Sequence, residues 1–246
     1  MKKTLFLCTL LSALFLVGAE KEGRGALCLT FDDYAGANWL KADSLFKKYN
    51  ARVTFFIVGK ITPEKIETMK KLQSAGHSIG LHSVHHRNAF PLPKNWDMKK
   101  YFESEVKPQL DVCRKNGIDV RGFAYPNNRR NEVTDQELFK HFDYLRAGLG
   151  KAKKNIFYGA KDLKNKMVLG GGGIGAYYKS DIKVLKALLK KAADSNTMIV
   201  FFSHNIYPKA KHVHMPTEML EQLLKYAAEL NMPVIGIKEI KTLLLR

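Results

Sequence analysis

Beyond residue 23, short apolar runs alternate with longer segments in which apolar residues recur every three or four positions among lysines and glutamates. The runs have the length and composition of buried strands. The longer segments have the spacing of helices that cover a sheet with one face, so the chain reads as repeated β-then-α units. Strands are predicted at about residues 27–31, 52–59, 77–81, 120–125, 144–149, 197–202 and 233–237. Between them, helices are predicted at 39–49, from Pro63 to just before Gly76, and at 96–116 with a break near Pro108, where proline removes an interior hydrogen bond. Others run from a Thr134–Glu137 capping box to Phe142, across Leu185, Leu188, Leu189 and Ala192, across Leu220, Leu223, Leu224 and Ala227, and over 240–245. Residues 88–97 and 126–131 read as loops. Residues 150–180 are the least regular, and Gly170 to Gly175 contain a G-x-G-x-x-G spacing. No helix opens directly from it, because residues 176–180 intervene, so the stretch is predicted to be a flexible loop rather than a phosphate cradle.

About seven such units in 246 residues, 46% of them hydrophobic, predict one α/β domain over residues 20–246: a distorted (β/α)7 barrel with mostly parallel strands. In such barrels the loops at the C-terminal strand ends build the active site. Asp32 and Asp33, His82 and His86, Asn127, and His204 all fall just past apolar runs, at that end.

The first 19 residues stand apart. Lys2 and Lys3 precede an apolar run from Leu5 to Val17, and Val17-Gly18-Ala19 supplies small residues before a cut. This predicts a signal peptide cleaved after Ala19, and so a secreted, periplasmic or cell-envelope protein with no stable membrane insertion after cleavage. Cys28 in a strand and Cys113 in a helix read as buried free thiols. The net charge of +18 favours anionic surfaces such as cell-wall polymers. It is spread in singles and pairs without a nucleic-acid-binding signature, so no nucleic-acid partner is expected.

The polar clusters contain the donors of a metal-assisted hydrolase. One aspartate and two histidines four apart fill three positions of a catalytic zinc site, leaving the fourth for water. The other aspartate is then free to take a proton, and a histidine from a distant strand end could supply one. Adjacent residues on a strand point to opposite sides, so Asp32 and Asp33 take different roles unless the chain turns there.

Thr30-Phe31-Asp32-Asp33, His82-Ser83-Val84-His85-His86 and Phe202-Ser203-His204-Asn205 together resemble three motifs of the polysaccharide deacetylases with the NodB homology domain, carbohydrate esterase family 4. The resemblance runs from about Ala26 to Leu243 and implies a NodB-type barrel. It implies Asp32 as general base, Asp33, His82 and His86 as ligands of zinc or another divalent transition metal, and His204 as general acid. Within the histidine motif it selects His86 over His85. It also implies an oxyanion donor at the Asn127 N–H, after a segment in which Ala124 stands where many relatives carry the arginine that orients the base. Either Arg121, Arg129 or Arg130 is expected to substitute or the base is tuned otherwise, and the family's fourth motif has no counterpart in the glycine-rich region. Phe202 and Tyr125 are candidates to line a slot for an acetyl methyl.

The expected function is removal of acetyl groups, N-acetyl on amino sugars first, from an acetylated polysaccharide or oligosaccharide. Alternatives are an O-acetyl carbohydrate esterase, a carbohydrate-binding protein on a degenerate barrel, or a related barrel acting on a small cyclic amide.

Overall fold

The computed structural model describes residues 25–149, 155–209 and 214–243; the signal peptide expected over residues 1–19 and the end of the helix expected over 240–245 lie outside them. Eleven strands are seen among the described residues: β1 (Ala26–Phe31), β2 (Thr54–Ile57), β3 (Ser78–Leu81), β4 (Val120–Ala124), β5 (Tyr144–Gly148), β6 (Phe157–Tyr158), β7 (Met167–Gly173), β8 (Met198–Ser203), β9 (Ile206–Tyr207), β10 (Met215–Pro216) and β11 (Val234–Ile235). The helices are α1 (Gly36–Lys48), α2 (Pro63–Ser74), α3 (Met98–Tyr101), α4 (Lys107–Lys115), α5 (Glu132–Leu138), α6 (Ala160–Leu163), α7 (Ile182–Asp194), α8 (Thr217–Glu229) and α9 (Ile240–Leu243).

Strands β1, β2, β3, β4, β5, β7 and β8 pair in that order, all parallel, and β8 pairs back on β1 over six residues, closing a seven-stranded barrel. The closure is uneven. β11 takes the lower half of one edge of β1 at Leu27 and Cys28, and β2 takes the upper half at Thr30 and Phe31. β7 reaches β8 only at Gly172 and Gly173, and antiparallel β6 fills the space below at Met198 and Ile199.

Side-chain alternation divides the core in two. On β1, Leu27, Leu29 and Phe31 join the layer under the helices, while Ala26 and Cys28 join the barrel interior. Both faces are buried, so the strand reads as one apolar run. Trp39 and Phe46 of α1 pack on Phe55 of β2 at ring separations of 4.7 and 6.3 Å. Cys28 and Cys113 are buried and free, as expected.

Three local expectations need correction. The glycine-rich stretch is not a loop but β7, whose backbone pairs with β5 from Met167 to Gly171. Helix α5 begins earlier than the Thr134 box predicted: Asn131 is its N-cap, and Thr134 is the third helical residue, returning the hydrogen bond. The break before Pro108 is a π-turn over Phe102–Val106 joining α3 to α4.

Candidate metal centre and its base

Alternation along β1 carries one step past the strand. Thr30 and Asp32 share the inward parity, and the Asp32 N–H extends the ladder to the Ser203 carbonyl at 2.9 Å. Asp33 would point outward, but its φ of 71° turns the chain, so both carboxylates come to the mouth of the barrel in different directions. His86 and the Ser83 beside His82 are also in the left-handed region, at φ 55° and 67°. Backbone of this kind persists in non-glycine residues where surrounding contacts impose it, often at functional sites.

Asp33, His82 and His86 each offer a ligand atom within 4.8 Å of the others. His82 Nε2 lies 3.2 Å from His86 Nε2 and 3.6 Å from Asp33 Oδ1, and His86 Nε2 lies 3.7 Å from the same oxygen. Tetrahedral ligation at about 2.0–2.1 Å separates ligand atoms by roughly 3.3–3.4 Å, so the donors and their spacing fit a zinc-like divalent cation. The His82 side chain is 3% exposed, whereas Asp33 and His86 are 44% and 40% exposed, which leaves the group open toward the mouth. His82 Nδ1 lies 2.8 Å from the Ala124 carbonyl, which can only accept, so the proton sits on Nδ1 and Nε2 keeps its lone pair for a metal. Burial, opposed by the Asp32 carboxylate and aided by Arg146, pushes the His82 imidazole down to about 4, so it is neutral at ordinary pH.

Asp32 is 3% exposed, and its Oδ2 accepts from Nη2 of Arg146, a residue 1% exposed on β5. This is not one of the expected substitutes. Arg121 pairs with Asp119 and Asp143 at the opposite end of β4, Arg130 pairs with Asp135, and Arg129 lies on the exposed turn after β4. Ala124 and Arg146 are register partners on adjacent strands and share the inward parity, so the guanidinium comes from one strand further around the barrel. It stacks 4.6 Å from the Phe202 ring, and Nη1 donates to Asn128 Oδ1 at 3.2 Å. The sequence signal was present: an arginine at an inward position of a strand predicted to be buried requires a carboxylate partner. The second oxygen, Asp32 Oδ1, is buried with no donor among the described residues.

The glycines of β7 make room for this pair. A Cβ on Gly171 would lie 3.1 Å from the Phe202 ring and 3.6 Å from Arg146 Cδ, and one on Gly173 would lie 2.4 Å from the Tyr178 ring. Tyr178, which the sequence reading missed, packs edge-on against Phe202 at 5.5 Å. Burial, with Asp32 nearby, pushes its phenol up to about 12, so it stays a neutral hydroxyl.

His204 follows β8 beside Asp32, since Phe31 and Ser203 are register partners. Its Nδ1 is buried without a partner among the described residues, and its carbonyl accepts from Trp39 Nε1 at 3.2 Å. Asn127 sits on the exposed turn after β4 at φ 53°. Phe202 is at the mouth, but Tyr125 is not. Tyr125 has the outward parity, is 1% exposed, and donates to Asp135 Oδ1 at 2.8 Å, so its side chain belongs to the outer core and not to an acetyl slot.

The family profile described as polysaccharide deacetylase matches residues 19–141. A peptidoglycan-N-acetylmuramic acid deacetylase of Bacillus subtilis is 34% identical over 109 residues, 44% of this chain and 37% of that protein. The matched stretch spans between 20% and 44% of the length of the curated relatives it matches. The chitin deacetylase of Colletotrichum lindemuthianum superposes with a TM-score of 0.63 at 15% identity, covering 89% of this chain and 88% of that one. A family 4 acetyl xylan esterase of Clostridium thermocellum, solved with cobalt, superposes at 0.57 and 19% identity, covering 89% and 91%. Among the described residues no helix is long and apolar enough to cross a membrane. By its profile match over half the sequence, and by a barrel that gathers the first two motifs at one mouth, the chain belongs to the polysaccharide deacetylase family.

Proposed function

We propose that this protein is an exported hydrolase that removes acetyl groups from amino sugars of an acetylated glycan. The observation that carries the reading is Asp32: one carboxylate oxygen is held by a buried arginine, and the other has no donor among the described residues, next to three residues spaced for a divalent cation. Asp32 Oδ1 takes the proton of the attacking water while Arg146 holds the carboxylate in place through its other oxygen. A cation held by Asp33, His82 and His86, zinc in the first instance, would polarise the acetyl carbonyl and lower the pKa of water. The Asn127 N–H donates to the carbonyl oxygen as charge develops there. As the C–N bond breaks, His204 returns a proton to the amine, releasing acetate. Phe202 and Tyr178 present ring surface to the acetyl methyl.

The match to a B. subtilis deacetylase of peptidoglycan amino sugars supports N-acetyl over O-acetyl groups. The net charge of +18 suits a carboxylate-bearing wall polymer, and the signal-like first 19 residues suit export to reach it. The test is acetate release from acetylated chitooligosaccharides, peptidoglycan fragments and acetylated xylan, with and without zinc, against Asp32→Asn. Release from the amino-sugar substrates, lost in the variant, is expected. Release from xylan alone would make the protein an O-acetyl esterase. Glycan binding without turnover, unchanged in the variant, would make it a binding protein.

A further inference from the structure

Two of the five residues in the His82–His86 segment have left-handed backbone, and something must hold them there. The structure shows what touches that segment. Glu105, in the π-turn between α3 and α4, is completely buried, and among the described residues its carboxylate bonds to His85 and Arg87 of the metal-site loop. Oε2 accepts from the His85 N–H at 2.8 Å, and Oε1 lies 2.9 Å from His85 Nδ1 and 3.0 Å from Arg87 Nε. The Glu105 backbone carbonyl also accepts from the Val84 N–H at 2.9 Å.

Four residues to either side, the same stretch continues the grip. The Tyr101 hydroxyl donates to the Arg87 carbonyl at 3.1 Å. Gln109 Nε2 lies 3.2 Å from the Ser83 carbonyl, 2.8 Å from that of Gly59 and 3.0 Å from that of Ile57. Tyr101, Glu105 and Gln109 thus bind residues 83, 84, 85 and 87, bracketing the ligand His86 on both sides. A buried carboxylate is costly unless fully paired, so its three contacts with one loop need a reason beyond packing. They also give His85, the extra histidine of the motif, a role other than ligation.

We propose that Glu105 is a positioning residue that holds the His82–His86 loop in its metal-binding shape and thereby sets metal affinity. The inference rests on the metal-centre reading above. Groups that orient ligands from behind are worth about 10–100-fold in metal affinity. The test titrates metal-free wild type, Glu105→Gln and His85→Ala with zinc against a chromophoric chelator, and records the visible spectrum of each with cobalt.

Glu105→Gln is expected to weaken zinc binding by about 10–100-fold and to alter the cobalt spectrum, a change that loss of stability alone would not produce. His85→Ala removes a ring whose side chain is 52% exposed and serves if Glu105→Gln fails to fold. It is expected to weaken binding by about three- to tenfold, since it deletes one of the loop's bonds to Glu105. Zinc affinity within twofold of wild type in His85→Ala and in a folded Glu105→Gln, with unchanged cobalt spectra, would overturn the proposal while leaving the metal centre standing. Failure of the wild type to bind metal would overturn both.

Discussion

Asp32 and Arg146, 114 residues apart in sequence, form a buried ion pair inside the barrel mouth, with the arginine supplied by β5 and not by the adjacent β4. Removing one partner of such a pair costs about 3–5 kcal/mol, because the other is left buried and uncompensated. Arg146→Met should therefore lower stability by that order. It should also leave the Asp32 carboxylate without the donor that orients it, cutting acetate release by at least about 100-fold. Metal content should be unchanged, because Asp33, His82 and His86 are untouched. Thermal unfolding, metal analysis and kcat on one preparation check the three outcomes together.

The relocation of the guanidinium is itself testable. Ala124 and Arg146 are register partners with inward parity, on strands roughly 4.8 Å apart. Arg146→Ala combined with Ala124→Arg should recover at least about tenfold of the activity lost by Arg146→Ala alone, which is about 1.4 kcal/mol of coupling. Strict additivity of the two substitutions would show that the two strand positions are not interchangeable.

Gly171 separates β7 from the Phe202 ring and the Arg146 stem. Gly171→Val should overpack the interior by about 1–3 kcal/mol and displace Arg146, so activity should fall further than the loss of stability accounts for. Comparing kcat at a temperature where the variant is fully folded separates the two effects.

What was legible in the sequence follows from what carries a hydrophobic signal. Strand β1 and its two carboxylates stood out because both faces of that strand are buried, so the run is apolar throughout and breaks off sharply at two charges. The candidate donors Asp33, His82 and His86 lie just past such ends, where the sequence pattern and the family resemblance directed attention. β7 did not stand out, because Gly170 to Gly173 have no side chains to register a period, although their backbone is a barrel strand. Arg146 was overlooked although its signal was there, one charge inside a run that reads as a buried strand; only the closed barrel shows that the position faces Asp32. Tyr125 was misassigned by one residue of parity, enough to turn a strand residue to the other face.

Acid should destabilise the metal-free protein in a definite window. His77 is buried, with the Val53 N–H donating to its Nδ1 at 3.2 Å and its Nε2 facing Asp43 at 3.2 Å, an arrangement that requires a neutral ring. Burial lowers the pKa of His77 and pushes that of His82 down to about 4. The unfolded chain takes up protons near 6.5 while the folded one does not, so the stability these two rings contribute is complete above about pH 6.5 and is lost as pH falls toward 4. The melting temperature should drop between pH 7.5 and 5, and His77→Gln should shallow that drop. A flat profile would show that the rings protonate freely in the fold.

The division of labour between the adjacent carboxylates is the centre of the account, and one experiment reads it directly: zinc content and acetate release of wild type, Asp32→Asn and Asp33→Asn, purified side by side. Wild type should carry about one zinc per chain. Asp32→Asn should keep the zinc and lose activity, and Asp33→Asn should lose both. Zinc lost in Asp32→Asn and kept in Asp33→Asn, or full activity in the metal-free wild type, would contradict it.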